Sequence, residues 1–184
     1  MDANQRASKL NLVEQEIPRL RRFARFLTRD AEHADDVVQE CLLRAVDKID
    51  SWQAGTNLRA WLFTILKNIL RNESRSHGRF VATDPQTEHG DLTVLVPAGQ
   101  EAHMALLEVN EAFLKLSDEH REVLLLVAID GLKYEEASVV LGLPVGTIRS
   151  RLSRARHELN CKIDGHPAQA QDTSRAGSGR DQRA

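Results

Sequence analysis

The sequence predicts an all-α protein of two small helical domains joined by a flexible linker, with a helix-turn-helix in the second domain. Apolar residues recur at helical spacing in two separate blocks, and outside residues 92–96 nothing alternates as a strand would. A segment rich in Gly, Pro, Thr and Asp separates the blocks. We therefore expect a first domain at residues 10–77, a linker at 78–102, a second domain at 103–163 and a disordered tail at 164–184.

The first domain is predicted to be a bundle of three helices with short connections. An apolar stripe runs from Ile17 to Leu27 in the first helix, and Asp30 can then cap the second helix. Gly55 breaks the pattern after the second helix, and Asn57 can cap the third. The inward residues of the second helix are predicted to be Val37, Val38, Cys41, Leu42, Ala45, Val46 and Ile49. Those of the third are predicted to be Leu58, Trp61, Leu62, Ile65, Leu66, Ile69 and Leu70.

The second domain begins with a predicted helix whose apolar residues are Leu106, Leu107, Val109, Phe113 and Leu116. An acidic turn and the apolar run 123–129 follow, and Gly131 ends that helix. A short helix over 134–141, a tight turn at 142–144 and a longer helix over 145–161 complete the domain. A short helix, a turn containing glycine and a second helix are typical of a helix-turn-helix.

Composition and motifs do not favour catalytic or metal chemistry. The formal net charge is only −2, so overall charge does not indicate nucleic acid. Cys41 and Cys161 form no CxxC pair, and no Gly-rich phosphate loop, metal-ligand spacing or nucleophile elbow is found. Cys41 lies on an apolar stripe, where a buried, inert thiol is expected. We expect a cytoplasmic protein that is not an enzyme, with no metal, no cofactor, no small-molecule substrate and no membrane insertion.

The final helix carries a sorted charge pattern. Residues 141–162 contain five Lys or Arg against one Glu. At about 100° per residue, the apolar stripe is formed by Ile148, Leu152, Ala155 and Leu159. The opposite face holds Gly146, Arg149, Ser150, Ser153, Arg154 and His157, and the stripe is flanked by Arg151 and Arg156. A basic helix after such a turn suits the DNA major groove. The alternative is an ordinary solvated helix.

In the third helix of the first domain, basic residues are again predicted to lie on the face opposite the apolar stripe. Its polar face is predicted to hold Phe63, Thr64, Lys67, Arg71 and Arg75. An aromatic ring on a basic face suits single-stranded DNA, because aromatic rings stack on bases while cations follow the backbone. The alternative, equally supported by the residues, is that Phe63 packs against a neighbouring helix.

The second helix of the first domain is acidic rather than basic. Residues 29–50 contain seven Asp or Glu against three Lys or Arg. Its exposed side is predicted to hold Asp35, Asp36, Gln39, Glu40 and Arg44. Such a face would repel DNA, so it faces either solvent or a basic protein partner. The residues alone favour solvent.

Taken together, these segments resemble the extracytoplasmic-function (ECF) group of bacterial RNA polymerase sigma factors. The resemblance covers residues 10–79 and 106–159. Its motifs are ADDVVQE at 34–40, GTNLRAWLFTI at 55–65 followed by Asn68, GLKYEEA at 131–137, and PVGTIRSRL at 144–152 followed by RAR at 154–156. Four motifs in this order, separated by a linker, are highly specific. The motif at 55–65 is similar to the general-stress-response branch and also to closely related branches.

The resemblance implies that the first domain corresponds to sigma region 2, which binds core polymerase and the −10 promoter element. Docking on the clamp helices of the largest polymerase subunit would involve Asp35, Asp36, Gln39 and Glu40. The loop 51–57 and the third helix would hold the non-template −10 strand, through Asn57, Phe63, Thr64, Lys67, Asn68, Arg71 and Arg75. Binding of the separated strand would offset part of the cost of unpairing.

The second domain would correspond to sigma region 4, which binds the polymerase flap and the −35 element. The resemblance and the positions on the helix imply that bases are read by Arg149, Ser150 and Ser153. Phosphates would be contacted by Arg151, Arg154 and Arg156. An anti-sigma protein is a further implied partner.

Two other readings of the sequence compete with a sigma factor. A sigma-mimicking adaptor would sequester an anti-sigma protein without binding DNA, and it should lack the basic face that this chain keeps. A conventional helix-turn-helix regulator would act without core polymerase, and it leaves the charged helices of the first domain unexplained. Duplex binding in the absence of core polymerase separates the regulator from the sigma factor.

Overall fold

A computed structural model of the protein describes residues 3–76 and 100–164, and every element in these ranges is helical. The helices are α1 Ala3–Thr28, α2 Ala31–Lys48, α3 Leu58–Ser76, α4 Gln100–Leu114, α5 Asp118–Leu124, α6 Tyr134–Leu141 and α7 Val145–Ile163. A 3-10 turn, Ile49–Ser51, follows α2, and a π-helical turn, Leu125–Ile129, continues α5. The all-α prediction is confirmed. Residues 78–99 of the predicted linker and 165–184 of the predicted tail lie outside the described residues.

Helices α1, α2 and α3 form the bundle that we call the first half. The Asp30 carboxylate accepts a hydrogen bond from the backbone N–H of His33 at 3.1 Å and so caps α2. Asn57 Oδ1 accepts from the backbone N–H groups of Arg59 at 3.1 Å and Ala60 at 3.3 Å. Both predicted caps are confirmed, and each satisfies amide groups that a helix start leaves unpaired.

The N-terminal turns of α1 extend beyond the apolar stripe seen in the sequence. Lys9 donates hydrogen bonds to the carbonyl oxygens of Ile49 at 3.3 Å and Trp52 at 3.0 Å, and its ammonium lies 5.5 Å from the centre of the Trp52 ring. Arg6 donates to the carbonyl oxygen of Val46 at 3.3 Å. These contacts satisfy carbonyl groups at the end of α2 and in the 3-10 turn that follows it. They tie the start of α1 to that end.

Helices α4 to α7 form the second half, which contains the helix-turn-helix. Gly142 ends α6 with a φ of 67°, a left-handed conformation that favours glycine. Pro144 then precedes α7. Ile148, Leu152 and Ala155 are buried, so the predicted apolar stripe of α7 is confirmed. The turn between α6 and α7 fixes the direction in which the polar side of α7 points.

The two halves pack against each other through α3 and α6, and their buried apolar residues form one continuous cluster. One inward prediction for α2 is wrong. Val46 is 41% exposed, because it lies at the edge of the α2 stripe, where its side chain lines an open surface groove with Leu42 and Leu43. None of the described helices is long and apolar enough to span a bilayer.

Candidate nucleic-acid and protein-binding surfaces

Helix α7 presents a basic face to solvent. Of the predicted DNA-contacting residues, those that are exposed are Arg149, Ser150, Ser153, Arg154 and Arg156. Arg151 differs: its side chain is only 23% exposed and forms an ion pair with Glu119 of α5 at 3.0 Å. The arrangement places four cationic or hydroxyl side chains within the first three turns of α7, where a helix in the major groove meets base edges.

Arg149 is held in place by an aromatic ring of the preceding helix. Its guanidinium lies 5.6 Å from the centre of the Tyr134 ring. A cation over a tyrosine face is attracted to the ring and has less rotamer freedom. Ser150 Oγ donates to the carbonyl oxygen of Thr147 at 3.0 Å, which leaves its lone pairs free to accept. The start of α6 therefore positions the start of α7. Tyr134 was not singled out in the sequence, because only the fold brings it to Arg149.

Helix α2 presents an acidic face that α1 partly neutralises. Asp36 and Gln39 are exposed, and Glu40 accepts a hydrogen bond from Arg44 at 2.7 Å. Asp35 is half-buried, 3.5 Å from the Arg21 guanidinium and 4.0 Å from that of Arg25. The anionic surface is therefore centred on Asp36 and Glu40 rather than spread evenly over the four predicted residues.

An exposed apolar groove borders this acidic face. Leu43 is 68% exposed, next to Leu42 and Val46. The groove is completed by Arg6, Gln39 and Asp47. An exposed apolar patch with a polar rim is typical of a protein-binding surface. The sequence pattern did not single out Leu43, because this residue lies off the inward stripe of α2.

Side chains on the polar face of α3 form hydrogen bonds to groups one helical turn away. Thr64 Oγ1 donates to the carbonyl oxygen of Ala60 at 2.8 Å, and Arg71 Nη2 donates to Asn68 Oδ1 at 2.7 Å. Thr64 and Asn68 are half-buried, while Arg71 is exposed. Arg75 lies in the last turns of α3, and its side chain is outside the described part of the chain.

The placement of Phe63 on this polar face is wrong. Phe63 is fully buried, and its ring centre lies 4.7 Å from that of Phe23 in α1. At about 100° per residue, Phe63 lies only about 20° from Leu70, at the edge of a very wide apolar stripe. The alternative reading, packing against a neighbouring helix, is confirmed. In this structure the ring is unavailable for stacking on a base.

The second half covers part of the polar face of α3. Asn57 Nδ2 donates to Glu136 Oε2 of α6 at 2.9 Å. The Lys67 ammonium forms an ion pair with Glu122 of α5, and both side chains are largely buried. Two residues of the predicted −10 site are therefore bound by carboxylates of the other half.

A buried carboxylate lies at the centre of the contact between the halves. Asp130, which is 1% exposed, forms ion pairs with Arg22 and, at 4.0 Å, with Arg19 of α1. Its carbonyl oxygen accepts a hydrogen bond from Arg59 of α3, and Arg59 is held by Glu16 at 2.7 Å and 3.1 Å. Burial raises the pKa of Asp130 above its ordinary value, and the arginines only partly offset this.

The Cys41 thiol is buried between α2 and α3, as the sequence predicts. Its Sγ donates to the carbonyl oxygen of Leu62 at 3.5 Å. Burial raises the pKa of this thiol to about 12, against attraction from Arg44. A thiol with so high a pKa is a poor nucleophile at neutral pH. Within the described residues, no three His, Cys, Asp or Glu side chains are grouped as metal ligands.

Comparison with known proteins relates both halves to sigma factors. Residues 13–67 match the family model described as the Sigma2 domain of PhyR, and residues 106–159 match Sigma-70, region 4. The chain is 45% identical over 147 residues to the ECF RNA polymerase sigma factor EcfG of Rhodopseudomonas palustris, with 80% of each chain covered. It is 38% identical over 141 residues to the ECF RNA polymerase sigma factor SigC of Mycobacterium tuberculosis, covering 75% of this chain and 74% of SigC.

A solved sigma factor structure is also similar to this chain. The sigma factor RpoE from Bartonella quintana, in complex with the anti-sigma factor NepR, aligns with a TM-score of 0.57 at 33% identity. The alignment covers 84% of this chain and 97% of RpoE. These similarities extend over both halves, in the order that the motifs predict. The chain therefore belongs to the extracytoplasmic-function family of RNA polymerase sigma factors.

Proposed function

We propose that this chain is an alternative sigma factor that binds RNA polymerase core, recognises −35 and −10 promoter elements and initiates transcription of a specific regulon. The observation that carries the proposal is the separation of three surfaces: the basic face of α7, the polar face of α3 and the acidic face of α2. We assign residues 10–77 to core and −10 binding, 103–163 to −35 binding, and 78–102 to the connection between them. Each assignment rests on family membership and on the charge of the surface.

Helix α7 is the proposed −35 reader. Arg149, Ser150 and Ser153 lie on the exposed side of its first turns, with hydrogen-bonding groups suited to base edges. Arg154 and Arg156, exposed further along the helix, would contact phosphates. Arg151 would first have to leave Glu119 to do the same.

The loop before α3 and the polar face of α3 are the proposed −10 site. The residues assigned to it are Asn57, Thr64, Lys67, Asn68, Arg71 and Arg75. Phe63 is removed from this set, because its ring packs on Phe23. Cations and amides on one helical face suit a single strand, whose backbone they follow.

The acidic face of α2 is the proposed contact with the clamp helices of the largest polymerase subunit. Asp36, Gln39 and Glu40 supply charge and hydrogen-bonding groups, and Leu43 adds an exposed apolar side chain beside them. A charged rim around an apolar centre gives both a fast encounter and a stable complex. The second half would bind the polymerase flap.

We also propose that this chain is regulated by an anti-sigma protein and works in the cytoplasm, without enzymatic activity, cofactor or small-molecule substrate. RpoE, one of its structural relatives, is described in complex with the anti-sigma factor NepR. The similarity to EcfG agrees with an assignment to the general-stress-response branch.

One second candidate has a specific observation in its favour. The match of residues 13–67 to the Sigma2 domain of PhyR is compatible with a sigma-mimicking adaptor. Such an adaptor has no need for an exposed basic α7, yet Arg149, Arg154 and Arg156 are all exposed here. The basic face therefore favours the sigma factor.

Run-off transcription tests the proposal. Purified core polymerase is mixed with a genomic fragment library, with and without this protein. Discrete new start sites are expected, and aligning them gives the −35 and −10 sequences. Core binding without transcripts would favour the adaptor. Operator binding in the absence of core would favour a conventional helix-turn-helix regulator.

A further inference from the structure

We propose that Lys9, near the start of α1, is a positioning residue for the proposed −10 site. It holds the loop 51–57 in place and so determines how strictly the chain selects −10 sequences. The inference rests on the proposed function, in which this loop and α3 hold the non-template strand. Lys9 precedes the residues matched by the Sigma2 family model, which begin at residue 13.

The loop is anchored at both of its ends. At its C-terminal end, Asn57 Oδ1 accepts hydrogen bonds from two backbone N–H groups and caps α3. At its start, Trp52 is 8% exposed, and its carbonyl oxygen accepts a hydrogen bond from the Lys9 ammonium at 3.0 Å. Lys9 also donates to the carbonyl oxygen of Ile49, the first residue of the 3-10 turn that leads into the loop, at 3.3 Å. The start of the loop is therefore fixed to a helix 43 residues away in sequence.

Lys9 also orients the Trp52 side chain. The Lys9 ammonium lies 5.5 Å from the centre of the Trp52 ring, a distance at which a cation is attracted to an aromatic face. The indole Nε1 is buried and has no hydrogen-bond partner among the described residues. Because a hydrogen bond from the indole does not fix the ring, its orientation depends on packing and on the cation. Lys9 thus holds both the main chain and the side chain of Trp52.

Between the two anchors, local hydrogen bonds fix the shape of the loop but not its position. The backbone N–H and the hydroxyl of Thr56 both donate to the carbonyl oxygen of Gln53, at 3.1 Å and 2.7 Å. Gly55 has a φ of 95°, which favours glycine in such a turn. Residues 53–56 are all exposed. This turn closes on itself, so its position relative to α3 depends on the anchors at its two ends.

A loop held in place favours selective binding. A strand with the preferred −10 bases uses the loop, and ordering a mobile loop on binding costs affinity. A strand with other bases gains less from the loop and therefore loses less when the loop becomes mobile. Removal of the Lys9 anchor should consequently weaken the preferred sequence more than its variants, which lowers discrimination between them.

The test is competitive run-off transcription with core polymerase and the full chain. Each reaction contains a promoter mapped by run-off transcription and the single-base variant of its −10 element that the wild-type chain transcribes least, and the ratio of the two transcripts measures discrimination. A second pair of templates differs in one base of the −35 element instead. Lys9→Met removes the charge and the hydrogen bonds and keeps an apolar stem. Arg6→Met is the matched control, because Arg6 lies about one turn earlier in α1 and contacts Val46 and Asp50 rather than Trp52.

Lys9→Met should lower the −10 transcript ratio about fivefold and leave the −35 ratio within about twofold of wild type. Arg6→Met should keep both ratios. Lys9→Arg, which retains a cation and several donors, should restore most of the −10 ratio. Urea unfolding of each variant shows that the chains compared are folded.

An unchanged −10 ratio in Lys9→Met, or an equal fall of the −10 and −35 ratios, would overturn the inference, because a residue that only stabilises the fold does not act on one promoter element. The same loss of −10 discrimination in Arg6→Met would also overturn it. Failure of the proposed function is recognised separately, because core polymerase with the wild-type chain then gives no start sites, and the inference falls with it.

Discussion

Replacing Phe63 with leucine separates a packing role from a role in DNA binding. The ring is fully buried against Phe23, and leucine keeps an apolar side chain there while removing the aromatic pair. The pair contributes about 0.5–1.5 kcal/mol, and the smaller side chain adds a residual cavity, so we expect a loss of about 1–2 kcal/mol. For a chain of this length, that loss lowers the melting temperature by about 2–8 °C.

The measurement is urea unfolding followed by circular dichroism, together with run-off transcription well below the melting temperature. Phe63→Leu should reduce stability and leave transcription nearly unchanged. Phe23→Leu is the control, since it removes the same ring pair from α1 and should behave alike, and the double variant should lose less than the sum of the two. Unchanged stability with lost transcription in Phe63→Leu would refute the packing role and restore base stacking.

Three further outcomes are expected. Arg149→Ala should lower transcription from −35-dependent promoters about tenfold or more and leave core affinity intact; unchanged promoter selectivity would contradict base reading. Asp36→Lys with Glu40→Lys should weaken core binding in a pull-down and spare strand binding; normal core affinity would remove α2 from the interface. At pH 8 a thiol reagent should modify Cys161 but not native Cys41, because burial raises the pKa of the Cys41 thiol to about 12. In the unfolded chain the Cys41 thiol ionises at a lower pH, so the free energy of unfolding should fall as the pH rises past 9.0. Rapid labelling of native Cys41 would argue against its burial.

The helix ends of the second half were predictable because local chemistry marks them. Gly142 takes the left-handed conformation that ends α6, and Pro144 follows as the residue before α7. Neither signal depends on a distant contact. The predicted helices over 134–141 and 145–161 therefore agree with the structure to within two residues.

The sequence predictions fail where contacts between distant helices determine which side chains are buried. Phe63 lies at the edge of a wide stripe, and only the position of α1 determines that its ring is inside. The first turns of α1 were not predicted, because they have no apolar periodicity. Arg6 and Lys9 instead hold these turns through hydrogen bonds to distant backbone carbonyls. The cover of α3 depends on carboxylates more than 50 residues away, such as Glu136 facing Asn57. Charge sorting along single helices does not reveal which helices meet.

The π-helical turn at Leu125–Ile129 has a consequence for how the second half meets α1. The backbone N–H of Asp130 donates to the carbonyl oxygen of Leu125, five residues back, at 2.8 Å, which is one residue more than an α-helical turn contains. Deleting the exposed Ala128 would restore α-helical spacing and rotate Asp130 by about 100° around the axis, away from Arg22. Helices α6 and α7 would keep their sequences. A single codon gained or lost at this turn would therefore change the contact between Asp130 and α1 while the sequence of α7, the proposed −35 reader, stays the same.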